Sequence, residues 1–304
     1  MQLLVRPEAP GEDRDCELVT EMSGHSGCRV LLYRRGETHF VRKISGTPGY
    51  NRRLELQREK QSRLSAVVST PPVIGFGMLG ELAYFDMQYV RGHDFKVYAP
   101  LQNIGSLSRL LPHVVAPIWL FAERAHGCLP EALFASKVTA VSAAVHGSTF
   151  FPAHASVLEP VIAHLQAADW AGVPASPNHG DLTMENMIIT DSSELVMIDL
   201  LDGELESFWM DAAKLLHDLD SGWSLRSMLW KRQTSSSERL IAILSRYLYD
   251  ELDAELRALF PDLAARLLQL RALQAMRVLP YVTDRHIFWY VVRGLDRLFQ
   301  RETR

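Results

Sequence analysis

The chain is poor in cysteine: Cys16, Cys28 and Cys128 are the only three, an odd number with no CxxC or Cys/His ligand spacing. That excludes a disulfide framework and a structural zinc site, and it predicts a reducing, cytoplasmic setting. Long hydrophobic runs are also missing. The longest near the middle, 114–122, is nine residues and contains Pro117, against about 20 needed to span a bilayer. The first residues, Met1-Gln-Leu-Leu-Val-Arg-Pro-Glu, build neither the basic region nor the apolar run of a signal peptide. No membrane association is expected. Nor is there a surplus of charge of one sign. Lys plus Arg number 32 against 36 Asp plus Glu, for a net charge of -4, which leaves no basic footprint for a nucleic acid. Repeats and low-complexity tracts are absent as well. What is present is ordinary globular composition, 47% hydrophobic and 22% charged over 304 residues, and at about 150 residues per domain this predicts two lobes.

The texture changes once along the chain. Three runs with strand character, 17–22, 29–34 and 38–44, are punctuated by Gly24, Gly27 and Gly36 and predict a meander of three antiparallel strands. Residues 50–66 are rich in Leu, Glu, Gln, Arg and Lys, with Leu54, Leu56, Gln57, Gln61 and Leu64 spaced as on a helix. Strand composition returns at 73–76 and 82–90, with Gly75, Gly77 and Gly80 assigned to the turn. Beyond Gly92, Ala- and Leu-rich stretches at 106–121, 137–145, 155–168, 209–218, 238–260 and 263–278 predict helices. One break interrupts them, where short β-prone runs at 187–190 and 195–198 flank Asp191-Ser-Ser. The expected organisation is a sheet lobe over 1–91 and a mostly helical lobe over 92–304.

The break carries the chemistry. It reads Asn178-His-Gly-Asp-Leu-Thr-Met-Glu-Asn-Met-Ile-Ile-Thr, then Glu194-Leu-Val-Met-Ile-Asp-Leu-Leu-Asp. Asn186 follows Asp181 by five residues and Asp199 follows Asn186 by thirteen. A tight loop puts Asp181 and Asn186 on one side of a hairpin, and the returning strand brings Asp199 beside Asn186. An amide and a carboxylate suit Mg²⁺, which takes oxygen ligands and leaves positions for phosphate oxygens and water. Asp181, standing apart, can accept a hydroxyl proton as that hydroxyl meets a γ-phosphate. A hairpin whose polar residues merely satisfy turn geometry accounts for His-Gly-Asp alone, but not for the ordered set.

This stretch resembles the catalytic loop of the aminoglycoside phosphotransferase and choline kinase superfamily, small-molecule relatives of the protein kinases. The resemblance extends over about 17–219 and is strongest over 179–211. It implies an α+β, bilobal protein-kinase-like fold, with a small antiparallel sheet lobe and a larger, mostly helical one. It further implies ATP and Mg²⁺ as cofactors, Asp181 as catalytic base, Asn186 and Asp199 as metal ligands, and His179 as a brace of the loop. Asp211, in Trp209-Met-Asp-Ala-Ala-Lys, matches the family Asp that opens a helix and holds the loop backbone. Two departures matter. Gly180 and Thr183 stand where protein kinases carry Arg and Lys, which argues against a protein substrate, and Leu200-Leu201 replaces Phe-Gly after Asp199, which removes a regulatory switch.

Upstream, the triphosphate needs cations and backbone N–H groups. Lys43 ends the third strand where the family lysine reaches the phosphates, while strand alternation turns Arg42 to the other face. Its helix partner is expected to be Glu59, with Glu55 one turn earlier as the alternative. Ser23, Gly24 and Gly27 lie in a loop that reads equally as a phosphate-covering turn or a plain hairpin turn. Phe85-Asp-Met-Gln-Tyr-Val-Arg-Gly resembles the family hinge, so that backbone groups from Gln88 to Val90 would read adenine with Met87 behind it, or simply in the core. The acceptor stays open. Asp202, Glu204, Glu206, Asp218 and Asp220 would suit a cationic acceptor, and Trp209, Trp223, Trp230 and Trp289 could build a choline cage. Lys214, His217 and Asp218 would suit a sugar hydroxyl set or a phosphorylated sugar. The leading expectation is transfer to a small-molecule hydroxyl, sugar-like in preference to aminoglycoside-like or amino alcohol. A protein kinase and a nucleotide-binding scaffold are the alternatives.

Overall fold

Alternation of side chains along five strands builds the first unit. β1 (Cys16–Met22), β2 (Cys28–Arg35), β3 (Thr38–Ser45), β4 (Val73–Leu79) and β5 (Leu82–Gln88) form one sheet in the order β1-β2-β3-β5-β4, with every pairing antiparallel. The computed structural model describes residues 16–22, 27–102, 104–226 and 235–302. Its two compact units are Met1–Arg91 with Val196–Asp202, and Gly92–Leu195 with Gly203–Arg304.

Because successive residues of a strand face opposite sides, the first unit has two apolar clusters. Val41, Ala83, Phe85 and Met87 pack with Leu54 of helix α1 (Asn51–Leu64), so Met87 is a core residue. Leu31, Tyr33, Phe40 and Ile44 form the opposite cluster. Arg42 joins that second face as an ion pair with both oxygens of Asp86, at 2.7 and 2.8 Å, with its guanidinium 4.3 Å above Tyr84. Gly75 and Gly77, expected in a turn, lie inside β4. At Gly77 room is short: a Cβ there would come within 3.0 Å of the Tyr84 hydroxyl.

The segment Val196–Asp202 belongs with this first unit, whereas the sequence places it in the helical lobe. Three bonds hold it there: Met197 N–H donates to the Ser69 carbonyl at 2.9 Å, the Lys60 ammonium donates to the Leu201 carbonyl at 2.8 Å, and the Lys43 ammonium donates to Asp199 Oδ1 at 2.5 Å.

The second unit is helical. Its main helices are α2 (Ile104–Ala122), α3 (Glu131–His146), α4 (Ala155–Ala167), α5 (Phe208–Ser221), α6 (Ser236–Leu259), α7 (Leu267–Met276) and α8 (Arg285–Glu302). The single helix expected over 263–278 is divided into a turn, Pro261–Ala264, and α7, and α8 was not expected at all. α5 packs against α2, α6 and α7, and every residue from Phe208 to Leu219 is buried. Its ends are fixed locally. The Ser207 hydroxyl accepts the Trp209 N–H, and Gly222, at φ 67, receives the chain in the left-handed region that favours glycine.

Short strands β6 (Met187–Ile189) and β7 (Leu195–Met197) flank the expected turn, which a bond from Thr190 N–H to the Glu194 carbonyl closes at 2.9 Å. His93 and Ile189 exchange backbone hydrogen bonds at 2.9 and 2.8 Å. Gly92 permits that approach, since a Cβ there would lie 2.5 Å from the Ile189 oxygen. Among the described residues, no helix is long and apolar enough to cross a membrane.

Candidate active site

Two clusters of polar side chains, one in each unit, contain the residues singled out in the sequence. In the first unit, Lys43 shares the face of β3 that looks onto α1 and is 1% exposed. A buried ammonium needs acceptors. It donates to Gln57 Oε1 at 3.0 Å and lies 2.5 Å from Asp199 Oδ1. Asp199 is held at φ 58, a backbone conformation that costs a non-glycine residue energy and that clusters at functional positions.

The helix partner of Lys43 is therefore Gln57, which corrects the expectation of Glu59. Glu59 pairs with Arg58 at 3.3 Å and is 49% exposed, and Glu55 pairs with Arg52 at 3.4 Å. Helical phase explains this. Leu54, Gln57, Gln61 and Leu64 recur every three or four residues and form the buried stripe, while Glu59 falls about 140° around the axis from Leu54.

Of the expected adenine-reading groups, the Gln88 N–H is already taken by the Pro72 carbonyl at 2.9 Å. The Val90 N–H has no partner among the described residues. Gly27 sits at φ 67 at the start of β2. Ser23 and Gly24 lie outside the described residues, as does Trp230.

In the second unit, the loop 179–186 is held by side chains and by its own backbone. Asp211, in the first turn of α5, accepts the His179 N–H at 2.5 Å and the Gly180 N–H at 2.9 Å, one on each carboxylate oxygen. Gly180 takes φ 90, which lets two successive N–H groups meet one carboxylate. The Asp181 N–H donates to His179 Nδ1 at 3.3 Å, so the fully buried His179 ring braces the loop from inside. Asp218 Oδ2 accepts the Met184 N–H at 2.7 Å and the Ser224 hydroxyl at 2.8 Å. Burial pushes the Asp218 carboxyl up, against the pull of the hydrogen bonds from Met184 and Ser224.

Two side chains converge on Asp181, the residue expected to act as base. Asn186 Nδ2 donates to its backbone carbonyl at 2.9 Å and to Oδ2 at 3.3 Å. Its other oxygen, Oδ1, lies 2.8 Å from the Lys214 ammonium. Burial pushes the Asp181 carboxyl up, but the Lys214 charge and hydrogen bond, with His179 and Arg277, outweigh it and hold the group below the ordinary carboxylate range. Lys214 was noticed in the sequence only as part of a helix-face constellation. Residues 211, 214 and 218 lie on one face of α5 by the i, i+3, i+7 rule, and that periodicity is the signal linking them to the loop.

Of the acidic and aromatic residues considered for a cationic acceptor, Asp218, Asp220, Trp209, Trp223 and Trp289 are already engaged, whereas Asp202 and Glu204 are exposed. Asp218 serves the loop. Asp220 meets Arg271 at 2.5 Å, Arg301 at 2.6 Å and Arg246 at 3.2 Å. Trp209 is buried beside Phe208. Arg226 covers the Trp223 ring at 4.2 Å and Arg293 covers Trp289 at 5.2 Å. A cavity of about 380 Å³ opens at the C-terminal end of α5, lined by Asp220, Ser221, Arg246, Tyr290, Arg293 and Arg297 among others.

No protein-family model and no curated protein matches the chain. Solved structures do. Aminoglycoside phosphotransferase APH(4)-Ia is 12% identical at a TM-score of 0.60, over 94% of both chains. A thermostable mutant of it, a ternary complex with AMP-PNP and hygromycin B, is 12% identical at a TM-score of 0.58, over 92% of both. Glucosamine kinase is 17% identical at a TM-score of 0.56, over 96% of this chain and 82% of that one. Similarity at such low identity is similarity of fold, and with the five-stranded antiparallel sheet and the helical unit it assigns this chain the α+β, protein-kinase-like fold of the aminoglycoside phosphotransferases.

Proposed function

We propose that the chain is an ATP- and Mg²⁺-dependent phosphotransferase that moves the γ-phosphoryl group to a hydroxyl of a small, neutral or anionic molecule. The observation that carries this reading is the held loop. A carboxylate, Asp181, stands at its end with backbone and side chain fixed by Asn186, and Asp211 and Asp218 tie down the loop on either side. Positioning and electrostatics are what phosphoryl transfer requires of a protein.

Each unit supports part of the chemistry. In the first, Lys43 is a buried cation for nucleotide phosphates and Val90 an unspent N–H for adenine. The AMP-PNP in the aminoglycoside phosphotransferase complex supports nucleotide binding by this fold. Mg²⁺ fits the oxygen donors present. Asn186 spends its Nδ2 on Asp181, so its amide oxygen is the end left for a ligand, and Asp199 spends Oδ1 on Lys43, leaving Oδ2. No group of three or more His, Cys, Asp or Glu side chains that could hold a metal exists among the described residues, so phosphate oxygens and water would complete the coordination. When bound, the ion neutralises charge on the phosphates.

Asp181 orients the acceptor hydroxyl and takes its proton as the new O–P bond forms. The acceptor class follows from charge. Around α5, Asp218 and Asp220 are paired, Arg226 and Arg293 cover Trp223 and Trp289, and the cavity is lined by Arg246, Arg293 and Arg297, which together disfavour a polycation there.

The test is ATP consumption with Mg²⁺ across pools of neutral sugars, polyols, phosphorylated sugars, hydroxy acids, aminoglycosides, amino alcohols and a generic protein. We expect turnover with a neutral or anionic small molecule. In Asp181→Asn, turnover falls about 10²- to 10⁴-fold with ATP binding retained, and Asp199→Ala loses the Mg²⁺-dependent thermal shift given by ATP. Transfer to the protein pool, or no thermal shift with Mg²⁺ and ATP in the unmodified chain, would refute the reading.

A further inference from the structure

Lys214 has no role in the sequence motifs and holds an unusual position. It is carried on the loop-facing side of α5, buried, and its ammonium has a single acceptor among the described residues, Asp181 Oδ1 at 2.8 Å. An ammonium has three N–H donors. A buried cation with one partner is under-satisfied, and the unspent donors lie beside the carboxylate that the proposed reaction uses. Asn186 approaches the other oxygen of the same carboxylate, so Asp181 is clamped between a neutral donor and a cation. An exposed lysine with these contacts would be a weak surface pair. Burial on a helix that also holds the loop backbone through Asp211 and Asp218 makes it a fixed charge.

We propose that Lys214 is a catalytic cation that donates at once to Asp181 and to a non-bridging oxygen of the phosphoryl group in flight. This rests on the phosphotransferase reading above. In the step, the acceptor O–H bond breaks and a bond from that oxygen to the γ-phosphorus forms. The bond from the γ-phosphorus to the β,γ-bridging oxygen breaks, and its electron pair leaves on the nucleoside diphosphate. The proton passes to Asp181 and then to water. Lys214 counters negative charge on the equatorial oxygens, where preorganised donors have their largest effect on rate. Its contact with Oδ1, opposite that of Asn186 with Oδ2, also fixes the orientation of the Asp181 carboxylate toward the hydroxyl.

The experiment compares the unmodified chain with Lys214→Met, Lys214→Arg and Asp181→Asn, using the acceptor found above. For each we would measure kcat, KM for both substrates, ATP affinity by calorimetry, and retention of ADP with Mg²⁺ and aluminium fluoride, a mimic of the transferring phosphoryl. Expected for Lys214→Met is a kcat loss of about 10²- to 10³-fold, with KM for ATP and ATP affinity within about threefold. ADP would bind, but aluminium fluoride would no longer retain it. Lys214→Arg, which keeps the charge, should recover part of kcat and part of the retention. Calorimetric ATP binding shows that each variant is folded. Should Lys214→Met fail to bind ATP, the comparison moves to Lys214→Arg, whose displaced charge must lower kcat without changing ATP affinity. If the unmodified chain transfers phosphate and Asp181→Asn does not, but a folded Lys214→Met keeps kcat and fluoride-dependent retention, the lysine is structural and this proposal falls alone. No transfer by the unmodified chain overturns both readings.

Discussion

His217 lies one turn beyond Lys214 on α5 and offers a worked test of how this helix is built. The side chain is buried, and its Nε2 has no hydrogen-bond partner among the described residues. Burial pushes the imidazole from 6.5 down to about 3, and the charges of Lys214 and Arg271 push the same way against the pull of Asp220. A folded-state value below the unfolded one means that the unfolded chain binds a proton near pH 6.5 which the folded chain refuses. The contribution is therefore complete above pH 6.5 and is lost as pH falls toward 3. With about 1.36 kcal/mol per pH unit, stability should drop by about 2 kcal/mol between pH 7 and pH 5 through this one residue. The perturbation is His217→Leu, which removes the titration and keeps a side chain of similar bulk. Urea unfolding at pH 7, 6 and 5 reads the difference between the two chains. Other titrating groups, Asp218 included, remain in both and cancel. Whatever the absolute stability of His217→Leu, its pH dependence should be flatter by about 2 kcal/mol over that interval. Parallel curves would show that His217 is protonated or solvated in the folded chain, and the tightly packed picture of α5 would be wrong.

Three further substitutions test the supports of the site. Gln57→Ala removes the neutral acceptor from Lys43 and should weaken ATP binding by about tenfold, the range for a hydrogen bond to a charged group. Glu59→Ala should change it less than about twofold because that side chain is a solvent-exposed ion pair, and calorimetric titration with the reverse ranking would restore Glu59 as the partner. Asp211→Asn leaves one side-chain oxygen for two buried N–H groups. The orphaned donor should cost about 1 to 3 kcal/mol of stability and lower kcat at least tenfold with ATP affinity kept; a stable, fully active variant would mean that the loop holds itself.

Much of the fold was legible because its signals are local. The meander, α1 and the turn between β6 and β7 follow from alternation, periodicity and turn residues within short windows. Two of the misread places are ones where neighbours decide. Gly77 looks like a turn residue until the Tyr84 side chain on the adjacent strand is seen to lie against it. From its third residue α8 carries Ile287, Phe288, Trp289, Tyr290, Val291 and Val292, a β-prone run. Its helical phase shows only in the later spacing of Phe288, Val292, Leu295 and Leu298, all buried. At the site, Asp181, Asn186 and Asp199 are visible as a spaced set, but Gln57 was passed over because a buried lysine suggests a carboxylate partner. The carboxylate is there, supplied by Asp199 at a separation of 156 residues. With one positive and one negative charge already balanced, a helix Glu at position 57 would have left an excess anion in a buried cluster, and a neutral amide is what the electrostatics favour.

The same reasoning explains why α5 tolerates so many buried polar groups. A charge in a protein interior is costly unless paired, and Asp211, Lys214 and Asp218 are all buried on one helix. Each is paired with the loop: Asp211 with the N–H groups of His179 and Gly180, Lys214 with the Asp181 carboxylate, Asp218 with the Met184 N–H. None of them finds its partner within the helix, so the helix carries these groups for the loop and the loop depends on them for its shape. Held by one rigid element, its positions cannot drift independently, and preorganisation of this kind is what transfer by positioning demands. Substitutions on this face of α5 should therefore separate from those around Lys43. The former should lower the rate of the chemical step with nucleotide affinity kept, and the latter should weaken nucleotide binding first.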